Sequence, residues 1–406
     1  MKQKERTKKE PMLHIVKRDS LPTGKKATFY AVTIFLGLLV GGVICSLFSS
    51  KNLFDFFGAL FSGALGTERR IWLLLQDTAL LLGVSLALVP AFKMKFWNLG
   101  GNGQILMGCL AYVSAMFYLG GKLPDFVVML IGLVAGVAMG AVWALIPAIF
   151  KAFFGTNESL FTLMMNYIAS GLVSTCITMW VKTGSGVLAP INKGNIPEIG
   201  NRYLLVILVF FLLAVAMHVY LRYSKQGYEL SVVGESNNTA RYIGINVRRV
   251  IVRTMAISGA LAGLVGVFLG GAINHTISTT STNNMGFTAI MTSWLAAFNP
   301  LVMMASCFFI IFISKGMVQV RKDFKFTNDA IANIVIGVVY FAVIAVTFFI
   351  SYRVVFREGS WMARVSDCVG RWLDRALDAT GRFFRKLFGA VASLFKNKKN
   401  EKEDKE

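Results

Sequence analysis

Apolar runs recur from residue 29 to residue 350, separated by short polar breaks. A helix needs about twenty such residues to cross the ~30 Å hydrocarbon core of a bilayer. The pattern predicts long spans at 29–48, 71–92, 105–121, 125–150, 160–181, 203–221, 254–272, 301–318 and 330–350. Residues 52–65 are short, Phe-rich and amphipathic, as in a helix lying in the interface. Residues 286–298 form a shorter apolar helix, stopped by Asn299 and Pro300. About thirteen helical residues rise only ~20 Å, so this helix crosses only if it is shortened or begins inside the protein.

Charge orients these spans. Lys and Arg dominate 1–28, the segment after residue 350, and 222–253, where Arg222, Lys225, Arg241, Arg248, Arg249 and Arg253 face only Glu229 and Glu235 as acids. A Lys/Arg excess marks cytoplasmic segments, so both tails are expected inside, and 182–202 becomes an external loop. Two inside tails require an even number of crossings. The nine long runs plus 286–298 give about ten. Lys315, Arg321, Lys322 and Lys325 then fall outside, against the bias. The expected fold is an all-α polytopic membrane protein of the cell membrane. Its parts are a basic cytoplasmic tail (1–28), a transmembrane domain (29–351), a basic amphipathic helical region (352–396) and a disordered tail (397–406). That region interleaves Arg364, Arg371, Arg375, Arg382, Arg385 and Lys386 with apolar positions, which predicts a helix on the anionic inner leaflet or on a partner subunit. The long charged stretch before residue 29, with no small-residue cleavage site, does not fit a cleavable signal.

Composition narrows the functional classes. Hydrophobic residues make up 55% of the chain and charged residues 16%, below the roughly one quarter of a soluble domain. The net charge of +21 does not point to nucleic acid, because the basic residues flank apolar runs as membrane anchors. Cys45, Cys109, Cys176, Cys307 and Cys368 form no CxxC pair, and four of them lie in apolar runs as small hydrophobes. No metal site, disulfide or bound cofactor is expected. No phosphate-binding G-x-x-x-x-G-K-[ST] loop is present, so the chain itself is not expected to hydrolyse ATP or to be an enzyme.

Three polar constellations stand out. Gly100, Gly101 and Gly103 sit among Asn98, Asn102 and Gln104 just before a span. Glycines let the backbone leave helical geometry, and its freed groups at membrane depth must face protein or a watery cavity. The amides either present themselves to a polar solute or make a plain turn after Lys95. Asn166 and Tyr167 interrupt the 160–181 run; they either line a pathway or tie helices together by a hydrogen bond. In the cytoplasmic segment, Gly234 and Glu235 lead to Asn237 or Asn238 as a helix cap. Ala240, Arg241, Tyr242 and Ile243 follow, and Gly244 ends the helix with φ > 0. Such a short helix can dock in a partner's groove. Asn283-Asn-Met-Gly286 resembles the 98–103 turn ahead of a helix of opposite direction, which suggests an inverted repeat of the transporter kind. Gln76 and Asp77 sit near the start of the 71–92 span, where Asp77 is either a site residue or solvated at the interface. Rival classes are a secondary carrier, for which Asp77 is nearly the sole buried acid, and an intramembrane enzyme built on His275, Thr276 and Ser278, which lacks a placed acid.

The segment Trp97 to Gln104 resembles the W-N-[IL]-G-x-[EN]-G-Q motif of nucleoside-type permeases in the branched-chain amino acid/ribose family of ABC transporters. Glu158 through Ala169 is similar to that branch's T-[IL]-M-[LM]-N-Y-[IL]-A element, and 227–266 to its coupling segment and following span. The resemblance covers about residues 30–350. Many relatives carry an acid where Asn102 stands. The resemblance implies a type II importer-like permease that moves nucleosides, with ribose-like sugars or branched-chain amino acids as alternative solutes. It implies a second homologous permease, cytoplasmic ATPases that use ATP and bind the coupling helix 234–244, and an extracellular substrate-binding lipoprotein.

Overall fold

The computed structural model describes residues 13–17, 23–181, 187–326 and 330–356. Most of the expected C-terminal amphipathic region and the whole disordered tail lie outside these residues, as does much of the basic N-terminal tail. In chain order the helices are α1 (Thr23–Leu47), α2 (Leu53–Leu65), α3 (Glu68–Lys93), α4 (Gly101–Leu119), α5 (Asp125–Phe154), α6 (Glu158–Trp180) and α7 (Leu204–Tyr223). They continue with α8 (Lys225–Glu235), α9 (Asn237–Tyr242), α10 (Val247–Phe268), α11 (Met285–Leu295), α12 (Pro300–Asp323) and α13 (Ala330–Ser351). A π-helical turn, Leu269–Asn274, extends α10.

Among the described residues, seven helices are long and apolar enough to cross a membrane: α3 to α7, α10 with its π turn, and α12. α1 and α13, of 25 and 22 residues, carry the apolar runs expected at 29–48 and 330–350, and α2 and α11 are shorter, at 13 and 11 residues. α1 starts at Thr23, ahead of the apolar run, because helical geometry continues into its polar flank. The segments Leu13–Lys17 (β1) and Tyr352–Phe356 (β2) pair antiparallel, Leu13 opposite Phe356 and Lys17 opposite Tyr352. Neither strand was expected, yet both are rich in β-branched and aromatic residues.

The chain divides into two compact units, one made of its two ends (to residue 57 and from 321) and one of residues 58–320. In the first, α1 packs along α13, where the Tyr30 hydroxyl meets Thr347 Oγ1 at 3.2 Å. In the second, α3, α4, α5 and α10 hold the core. α5 repeats glycine every fourth residue (Gly132, Gly136, Gly140), and α10 does so at Gly259 and Gly263. These small faces bring backbones into contact: a Cβ on Gly108 would lie 2.5 Å from the Gly263 Cα, and one on Gly263 would lie 2.5 Å from the Gly136 carbonyl oxygen. Where the surroundings are as apolar as leucine, close van der Waals contact of this kind drives helix association. On the outside, α5, α6 and α7 expose Val134, Ile168 and Leu212, as helices in contact with lipid do.

Candidate functional site

α3 ends in a Schellman turn. The Phe96 N–H donates to the Ala91 carbonyl and the Lys95 N–H to that of Phe92, both at 2.9 Å. Lys95 takes the left-handed position usually held by glycine, at φ 58°. The chain then runs without regular secondary structure from Phe96 to Gly100 before α4 starts, and Gly101 packs beside Leu88, more than a turn back along α3. Backbone groups of this lead need partners inside the protein, and side chains supply them.

Asn98 is fully buried. Its Oδ1 accepts from the Gly100 N–H at 3.0 Å and from Gln104 Nε2 at 3.2 Å. Its Nδ2 donates to Gln104 Oε1 at 3.3 Å and to Ser258 Oγ of α10 at 3.4 Å. The Asn98 and Gln104 amides therefore face each other as a closed pair. α6 clamps the same lead. Asn166 Nδ2 donates to the Leu99 carbonyl at 2.8 Å, and its Oδ1 accepts from the Gly103 N–H at 2.7 Å. Thr162, one turn earlier, accepts from the Leu99 N–H at 3.1 Å. Asn102 is buried too, its Oδ1 accepting from the Gly286 N–H at the start of α11 at 2.8 Å. A Cβ on Gly286 would lie 2.7 Å from that oxygen, so only glycine fits. The two Gly/Asn turns read as related from sequence thus touch each other. Asn98, Asn102, Gln104 and Asn166 come together; Tyr167 does not, being 73% exposed on the other side of α6.

A second assembly lies between α7 and α10. The end of α8 rests on the end of α3, where a Cβ on Gly234 would come within 2.1 Å of the Lys93 carbonyl oxygen. Arg253 of α10 donates to Glu229 of α8 at 3.0 Å. Gly234 and Glu235 belong to α8 rather than to the short helix that follows. The cap of α9 is Ser236, whose hydroxyl accepts from the Thr239 N–H at 3.3 Å. Asn237 and Asn238, expected as caps, already lie within the helix. Gly244 ends it with φ 82°. Ala240 is buried, whereas Asn237, Asn238, Arg241, Ile243 and Gly244 are exposed and Tyr242 is 93% exposed. α9 is thus a six-residue ridge held by one alanine and presenting the rest of its surface.

At the far end of α4, the loop before α7 covers the π turn. The Ile196 N–H reaches the Gly271 carbonyl at 3.0 Å and the Ile191 N–H that of His275 at 2.8 Å. Thr276 Oγ1 donates to the Leu188 carbonyl, and Ser278 bonds Thr280 and Ser281. No acid appears among these partners of the His275 cluster. Among the described residues, no group of three or more His, Cys, Asp or Glu side chains gathers as a metal centre requires.

Sequence reasoning assigned Thr162 and Ser258 no role in the site. Thr162 had a usable signal, since it precedes Asn166 by four residues and shares its helix face.

The family described as "Branched-chain amino acid transport system / permease component" matches residues 71–347. The guanosine ABC transporter permease protein NupP of Bacillus subtilis is 30% identical over 286 residues, 68% of this chain and 81% of the relative. The nucleoside ABC transporter permease protein NupB of Lactococcus lactis is 26% identical over 346 residues, covering 81% and 92%. A glucose ABC transporter permease protein of Haloferax volcanii is 25% identical over 341 residues, covering 80% and 88%. The match spans both assemblies, from α3 through α12 and into α13, and the chain belongs to the branched-chain amino acid transport system permease family.

Proposed function

We propose that this chain is the membrane-spanning subunit of an ABC importer and that it moves nucleosides. The observation that carries the mechanism is the mechanical continuity from α9 to the Gly-rich lead. α9 follows α8, α8 abuts the last carbonyl of α3 at Gly234, and α3 turns through Lys95 into the strapped segment. A groove of a cytoplasmic ATPase that grips Asn237, Asn238, Arg241, Tyr242 and Ile243 can push this chain of contacts. Gly234 and Glu235 join the ridge to its lever, and Gly244 frees its far end. Asn98, Asn102 and Asn166 shape the pathway by holding backbone, and Gln104 by holding Asn98, rather than by holding solute. Tyr167 faces away from that cluster.

The nucleoside assignment is supported by the two relatives named for guanosine and nucleosides. In this reading the bilayer is crossed about ten times, with α11 as a half-helix starting inside the protein and both termini cytoplasmic. The two Gly/Asn turns are the pseudo-equivalent points of an inverted repeat. A second permease completes the pathway, a binding lipoprotein delivers the solute, and ATP is consumed by the partner ATPases.

The test is uptake of labelled guanosine, ribose and leucine by cells making the whole transporter with or without this chain. Chain-dependent guanosine uptake is expected. Uptake of ribose or leucine alone refutes the substrate assignment. Unchanged guanosine uptake on deleting 237–243, with the ATPase still co-purifying, refutes the coupling role.

A further inference from the structure

α3 carries polar side chains at Arg70, Asp77 and Ser85, about two turns apart and so along one side of the helix. Each meets a partner across a seam. Arg70 Nη2 donates to Gln319 Oε1 of α12 at 3.0 Å. Asp77 is ion-paired with Lys315 of α12. Ser85 Oγ meets Thr292 Oγ1 of α11 at 2.6 Å and Cys307 Sγ of α12 at 3.7 Å. Partner numbers on α12 fall as those on α3 rise, so the two helices run antiparallel.

Asp77 lies about 9 Å along α3 from residue 71, where its apolar run starts, and Lys315 about 4.5 Å along α12 from residue 318, where its run ends. At that depth the side chains remain 33% and 35% exposed, whereas Ser85 and Thr292 are fully buried. A charged pair inside the apolar runs does not face hydrocarbon; it faces protein or water. The seam leads from the Arg70 end of α3 toward Leu88, beside which the strapped lead ends at Gly101. We propose that α3 and α12 form the wall of an aqueous vestibule of the translocation pathway. Asp77 and Lys315 are open to its lumen, and the Ser85–Thr292–Cys307 contact is its floor. The compensated pair adds polarity without net charge between Arg70 and the floor, which suits an uncharged polar solute better than an ion. This rests on the permease reading above.

Thiol labelling of the assembled transporter tests it, with membrane-impermeant methanethiosulfonates of either charge and the parent chain as baseline. Asp77→Cys, with Lys315 retained, should react roughly tenfold faster with the anionic reagent than with the cationic one, and Lys315→Cys should show the reverse preference. Gln319→Cys leaves the ion pair intact and should label as well. Ser85→Cys, buried within the floor, and Leu212→Cys on the exposed face of α7 should stay at baseline. Labelling at Asp77→Cys, Lys315→Cys and Gln319→Cys no greater than at Leu212→Cys overturns the proposal. So does labelling of the chain alone that vanishes when the second permease is present, because the seam would then be a subunit interface. The labelling is read independently of uptake. Failure of guanosine import would sink the function and leave the vestibule standing; normal import without labelling would sink the vestibule alone.

Discussion

Replacing Asn166 by alanine removes two hydrogen bonds at once and separates a clamp from a solute ligand. The Gly103 N–H and the Leu99 carbonyl each lose their partner, at 2.7 and 2.8 Å. A buried backbone group left unpaired costs about 1–3 kcal/mol, so the pair sets an upper figure of roughly 6 kcal/mol. Two effects lower it. Asn166 is only partly buried, and side-chain hydrogen bonds inside membranes average about 0.6 kcal/mol, with a maximum near 1.7, because alternative partners exist. The expected destabilisation is therefore about 1–3 kcal/mol. Asn166→Asp keeps the acceptor for Gly103 but sets an oxygen against the Leu99 carbonyl and adds a charge inside the span, and should cost at least as much as alanine. Reversible unfolding of the purified chain in mixed micelles gives the free energies, and guanosine uptake at several concentrations separates affinity from rate. Unchanged stability in Asn166→Ala, together with weaker affinity at an unchanged maximal rate, would refute the clamp and make Asn166 a ligand of the solute.

The glycine seam predicts that Gly263→Leu prevents accumulation of the chain in membranes, whereas Gly171→Ala in α6, with open space around it, stabilises by about 0.5–1 kcal/mol; immunoblotting and unfolding midpoints check both. Ser236→Ala removes the cap of α9 and should cost about 1 kcal/mol locally, lowering uptake and ATPase co-purification while membrane levels hold. Glu229→Gln removes a partly exposed pair with Arg253 and should change global stability by no more than about 1 kcal/mol, measured in the same micelles. Lys95→Gly relieves a left-handed lysine at φ 58° and should stabilise by roughly 1 kcal/mol; a loss of stability would show that the lysine side chain holds the turn.

Helix positions were legible because apolar runs of membrane length have few other uses. The short helix of the cytoplasmic segment and its left-handed Gly244 were legible from local chemistry alone. Its cap was not: Ser236, Asn237 and Asn238 are adjacent and all competent, and only backbone geometry separates them. The Gly-rich lead could be located but not its partners, since Thr162, Asn166 and Ser258 reach it from helices distant in sequence. The glycine spacing of α5 and α10 was visible, but nothing in a spacing names the surface it meets. The π turn had no signal, because one widened turn leaves the hydrophobic pattern almost intact. β1 and β2 were hidden by charge, which made both ends of the chain read as tails.

The seam of α4, α5 and α10 has a mechanical consequence. Helices separated by side chains can slide, because rotamers absorb the shift. Where Gly108 meets Gly263, backbone lies on backbone, and no soft layer remains to shear. In the proposed importer these three helices are expected to move as one block, leaving the strokes that expose a solute first to one side and then to the other to the elements around it.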